Sequence, residues 1–155
     1  MESSETARED LLMEVLMILK ETFEGSPPGQ GSIYLDRGVS IENTLSRVSF
    51  EDASKDRNGT TIAAHTEHLK FYIDRLVEYM NGRTEPVHWD QSWLIETVSE
   101  DEWSILREGL KDSYLNAIEQ VAEFRDKGEY KAGELTAIVA HTAYHLGAIR
   151  QMAKG

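Results

Sequence analysis

Four stretches of this sequence repeat apolar residues at a helical period, and no stretch of comparable length alternates as a strand would. In the first, about 5–24, Leu11, Leu12, Val15, Ile18 and Leu19 form one stripe, stopped by Gly25 and the Ser26-Pro27-Pro28-Gly29 cluster. The second, about 60–81, carries Ile62, His65, Leu69, Tyr72, Ile73, Leu76 and Met80, and ends at Asn81-Gly82. The third, about 99–127, opens on Ser99-Glu100-Asp101-Glu102, a capping box in which Ser99 and Glu102 satisfy each other's backbone N–H. Val98 and Trp103 stand at the two positions of a hydrophobic staple around it. Leu106, Leu110, Tyr114, Ala117, Val121 and Phe124 continue that face to Lys127-Gly128. The fourth, about 133–153, reads Leu135, Ile138, His141, Thr142, His145, Ile149 and Met152.

The connections are unequal. Between Gly31 and Asn58 runs a long polar link holding one short helical piece, Ile41 to Val48, with Ser40 as its N-cap. The link from Gly82 to Val98 carries Trp89 and Trp93, which are expected to close one end of the core because large aromatics dominate burial. A chain of 155 residues can bury one core without disulfides or a structural metal. The expected fold is therefore all-α: a single domain, 1–155, forming a four-helix bundle with a long crossover between its first two helices.

Composition removes several functions. With no cysteine there is no thiolate metal site, iron–sulfur cluster or cysteine nucleophile. A formal net charge of -12 repels a phosphate backbone, so nucleic-acid binding is not expected. The first apolar stretch, Leu11 to Leu19, is broken by Glu14 and falls well short of the roughly 20 residues of a membrane span. The start, Met1-Glu2-Ser3-Ser4-Glu5-Thr6, is acidic where a signal peptide is basic. A cytoplasmic protein, neither inserted in nor bound to a membrane, is expected.

Chemistry concentrates in the histidines. The chain has five, His65, His68, His88, His141 and His145, and three of them fall on apolar stripes. His141 and His145 are spaced i, i+4, about 6 Å apart along the helix axis, which lets two imidazoles converge on one ion. His65 aligns with Ile62, Leu69 and Leu76 on the second helix. A buried polar group without a partner costs on the order of 1–3 kcal/mol, and a shared cation would satisfy three rings at once. The competing reading is three hydrogen-bonded core histidines. His68 lies on the flank of the same helix, open between an alternative ligand, a residue behind the ligands, and a rim position. Tyr72 and Tyr144 can line the pocket or serve only as packing. Glu67 falls on the far side and is expected to be solvated. Arg150 is expected in a surface ion pair, with an anionic ligand as the alternative. Thr142 stands where a zincin-type protease needs its glutamate, so the motif carries no general base. Nitrogen ligands suit zinc, nickel, copper or iron alike.

The phrases Thr60-Thr61-Ile62-Ala63-Ala64-His65-Thr66-Glu67-His68-Leu69 and His141-Thr142-Ala143-Tyr144-His145-Leu146-Gly147-Ala148-Ile149-Arg150-Gln151 resemble the DinB/YfiT-like superfamily of metalloenzymes. The resemblance runs through nearly the whole chain in helix order and length. It implies an up-down-down-up bundle, often a homodimer. One histidine of the second helix and two of the fourth would hold a divalent metal, commonly nickel or zinc; here these are His65, His141 and His145. It also implies a metal-dependent enzyme acting on a small molecule. Relatives include S-transferases that use a low-molecular-weight thiol, bacillithiol or mycothiol, and a thiol-dependent maleylpyruvate isomerase. The alternative is a non-enzymatic, stress-related module in which the metal is structural.

Overall fold

The computed structural model describes the backbone of residues 2–154 and the side chains of residues 5–154. These residues contain six α-helices and no strand. Four are long: α1 (Glu2–Glu24), α4 (Ile62–Met80), α5 (Glu100–Asp126) and α6 (Ala132–Ala153). Two short ones, α2 (Ile41–Leu45) and α3 (Phe50–Ala53), lie in the crossover, and a 3-10 turn spans Trp89–Ser92. The four periodic segments of the sequence are the four long helices. None of the helices is long and apolar enough to cross a membrane.

Side-chain capping sets where most of these helices begin. Ser99 Oγ accepts from Glu102 N at 3.3 Å and Glu102 Oε2 accepts from Ser99 N at 2.7 Å, closing the capping box. Val98 and Trp103 beside it are buried, and the Trp103 indole donates to Val48 O at 2.8 Å. Thr61 caps α4 by accepting from Ala64 N at 3.0 Å, and Ser40 caps α2 by accepting from Asn43 N at 3.1 Å. The short piece expected over Ile41 to Val48 stops earlier, at Leu45. A second turn, capped by Ser49, follows as α3.

The long helices pack side by side, α4 against both α5 and α6, and α1 against α6 and part of α5. Their directions follow from which residues meet. Lys70 lies against Gly109, where an added Cβ would come within 3.0 Å of Lys70 Cε, and Asn81 Nδ2 donates to Gln120 at 2.9 Å, so α4 and α5 run parallel. His65 meets His145 while Tyr72 meets His141, so α4 and α6 are antiparallel. Phe23 stacks on Tyr114, with centroids 4.2 Å apart, and Met13 Sδ lies 3.9 Å from Arg125, so α1 and α5 are antiparallel.

One apolar cluster joins all four, with Leu12, Leu19, Ile73, Leu110, Leu135 and Ile149 fully enclosed. Each such side chain contributes roughly 1.5–3 kcal/mol relative to exposure. On α1 the buried stripe is Leu12, Leu16, Leu19 and Phe23. Leu11, assigned to it from sequence, is 57% exposed, because only the i, i+4, i+7, i+11 line faces α5 and α6.

The crossover is held by one carboxylate. Buried Glu21 accepts from three consecutive backbone N–H groups, Ile33 at 2.6 Å, Tyr34 at 2.9 Å and Leu35 at 2.8 Å. Burial pushes its pKa up, but the three donors outweigh that and hold it below the usual carboxylate range.

Candidate metal centre

Because α4 is sandwiched between two helices, it has two inward faces rather than one. Its α6-facing side carries His65 and His68 near its start, opposite His141 and His145 on the antiparallel α6. Ring centroids lie 4.5 Å apart for His141–His145, 4.9 Å for His68–His145, 5.1 Å for His68–His141 and 5.0 Å for His65–His145. One nitrogen from each of His68, His141 and His145 falls within 4.8 Å of the others, close enough to share a metal ion. His65 borders this triad through a 2.8 Å contact between its Nδ1 and that of His145.

The helical wheel favours His65 as the α4 ligand, whereas the mutually close set contains His68. A wheel centred on Ile62, Leu69 and Leu76 finds the middle of the apolar stripe. The α6-facing edge of that stripe lies to one side, where His68, buried at 8% exposure, points.

Hydrogen bonding fixes how His68 presents itself. Ser92 Oγ donates its only proton to Trp89 O at 2.6 Å, so in its 2.7 Å contact with His68 it accepts. His68 therefore carries its proton on Nδ1 and leaves Nε2 free. His141 Nε2 is buried with no hydrogen-bond partner. The cluster thus holds a lone pair on His68 Nε2 and a buried His141 Nε2 that no described protein group engages.

All four rings are held towards the neutral, ligating form. Burial lowers His65 and His141. Burial, then the proximity of His141 and His65, brings His68 down to about 4. Burial, then His141, His65 and His68, brings His145 down to about 3. These features fit a divalent cation: neutral imidazoles, an orphaned buried nitrogen, and no carboxylate among the triad.

Aromatic rings enclose the cluster. Tyr72 stacks on His141 with centroids 3.7 Å apart and planes 14° apart, and burial raises its phenol pKa. Trp93 stacks on His68 at 4.2 Å and meets His65 edge-on at 5.3 Å; Trp89 packs against Tyr72 at 5.6 Å. The tryptophans therefore cover the histidines instead of closing an end of the core, and each remains 41% exposed. Tyr144 touches His145 edge-on at 5.1 Å but is 70% exposed, a rim residue. His88 is exposed on the loop before the 3-10 turn. Thr142 bonds its own helix at Ile138 O, 2.7 Å away.

From the sequence alone Ser92 has no expected role, and Trp93 and Glu67 have roles different from those seen here. Ser92 orients His68 across 24 positions of sequence. Trp93 covers two rings. Glu67 is not solvated: its Oε2 accepts from Leu94 N at 2.8 Å and Ile95 N at 2.7 Å, tying the tryptophan loop to α4. The only available signal was the unusual His88-Trp89-Asp90-Gln91-Ser92-Trp93 run, which has no periodicity to give it a direction.

No family model, curated protein or solved structure matches this chain.

Proposed function

We propose that the protein is a divalent-metal-binding bundle of the DinB/YfiT-like kind and a metal-dependent enzyme, an S-transferase acting through a low-molecular-weight thiol. The carrying observation is the convergence of His68, His141 and His145 within 4.8 Å, with His141 Nε2 buried and unpartnered. The helix directions, α4 parallel to α5 and antiparallel to α6, are those an up-down-down-up bundle requires.

In this reading His68, His141 and His145 hold the ion, and nickel and zinc both suit the nitrogen set. Such an ion supplies Lewis acidity, which makes a thiol nucleophilic at neutral pH. The chain's own residues do the rest. Ser92 keeps the His68 proton on Nδ1 so that Nε2 carries the free lone pair. His65 and His145 share one hydrogen bond between their Nδ1 atoms at 2.8 Å; with His145 as its donor, His145 Nε2 would be left to ligate. Tyr72 on His141 and Trp93 on His68 hold the rings in place by stacking. Tyr144, edge-on to His145 and 70% exposed, leaves that rim of the cluster open to solvent.

The test is turnover of thiols such as bacillithiol, mycothiol or glutathione with simple electrophiles, using metal-loaded protein and His141→Ala. Metal-dependent thioether formation, lost in the variant, supports the proposal. A metal that raises the melting temperature without turnover of any thiol would leave only its structural role.

A further inference from the structure

A second site lies on a different face of α6. Arg150 follows His145 by five residues and His141 by nine, about 140° and 180° around the helix respectively, so its side chain leaves away from the histidines. There it lines a surface cavity of about 510 Å³ between the end of α6 and the α2–α3 segment of the crossover. A volume of that order suits a small molecule.

The charge in this cavity runs against that of the chain. Arg47, Lys55, Arg57, Arg150 and Lys154 all line it, five of the 16 lysines and arginines, together with Asp52 alone of the 28 carboxylates. Asp52 is occupied by Lys55 at 2.5 Å. Among the described residues none of Arg47, Arg57, Arg150 and Lys154 makes a direct ion pair with a carboxylate, Arg57 acting on Asp52 only at longer range. The negative end of α6 accounts for cations at Arg150 and Lys154. It does not account for Arg47, from the turn after α2, or Arg57, from the loop after α3, converging on the same space. Arg57 and Arg150 are half-buried, which strengthens their pull on an anion relative to fully solvated cations. Three guanidiniums in one cavity match the planar, two-point recognition that phosphoryl oxygens favour.

We infer that this cavity binds a small molecule bearing a phosphate or pyrophosphate group, held by Arg47, Arg57 and Arg150. The site goes beyond the metal reading and stands independently of it.

Calorimetric titration of the intact protein with pyrophosphate, and with citrate at matched ionic strength, tests this. The expected result is saturable binding of one pyrophosphate per chain, tighter than citrate and weakening as salt is raised. Arg57→Gln/Arg150→Gln should lose about tenfold or more in affinity while keeping the wild-type helical circular-dichroism spectrum. Arg8→Gln, on α1, and His141→Ala should bind as wild type does. If the double variant does not fold, Arg47→Gln/Lys154→Gln takes its place with the same expectation. The inference is overturned by absence of saturable binding, by unchanged affinity in the cavity variants, or by citrate binding as tightly as pyrophosphate. Loss of binding in His141→Ala would move the anion to the histidine cluster and overturn it equally.

Discussion

Ser92 Oγ sits 2.7 Å from His68 Nδ1 while donating its own proton to Trp89 O, and this pair of contacts sets the tautomer of the histidine. Ser92→Ala removes the acceptor and frees the imidazole to turn or change tautomer. Losing such support typically costs 10–100-fold in metal affinity. Competition with a metallochromic chelator should show a loss of that size with the fold intact; wild-type affinity in Ser92→Ala would mean that Ser92 does not orient a ligand.

The two α4 histidines can be told apart. With His68 in the triad and His65 supporting His145, His68→Ala should abolish stoichiometric metal. His65→Ala should keep one ion at about 10–100-fold lower affinity. Metal content and affinity of both purified variants decide the matter. The opposite pattern would restore His65 as the ligand.

How much of this was legible in the sequence follows from what each signal measures. Apolar period and caps report a helix's own face and ends, so α4, α5 and α6 were readable to within about two residues, as was the Ser99–Glu102 box. The i, i+4 spacing of His141 and His145 was likewise intrinsic to one helix. The choice between His65 and His68 depended on the direction from which α6 approaches α4, which is a tertiary fact. Ser92, Trp93 and Glu67 act through an aperiodic loop whose path is set by distant hydrogen bonds, as at Leu94 and Ile95. Glu21 looked like any helix-surface acid, although it holds the crossover by three backbone donors.

Metal-free protein should lose stability in mild acid. His68 and His145 have folded pKa values of about 4 and about 3, below the unfolded value near 6.5. The unfolded chain therefore takes up protons first, so their contribution is complete above pH 6.5 and declines as pH falls towards 4 and 3. Thermal melts between pH 7 and pH 5 should show a falling midpoint, with a shallower slope in His68→Gln/His145→Gln. Equal slopes would show that these rings are not held neutral by the fold.

Glu21→Gln keeps the shape of the side chain but replaces a charged acceptor of three backbone N–H groups with a neutral amide whose NH₂ cannot accept. A destabilisation of about 1–3 kcal/mol is expected by urea denaturation, with metal content unchanged. An unaltered midpoint would remove Glu21 as the anchor of the crossover.

The central claim is that a divalent ion belongs among His68, His141 and His145, and elemental analysis of untagged protein tests it most directly. One nickel or zinc per chain is predicted in the wild type, and almost none in His141→Ala or His145→Ala of unchanged helical content. A wild-type protein that stays metal-free after incubation with both ions and desalting would contradict it, leaving the histidines as core residues that simply bond one another.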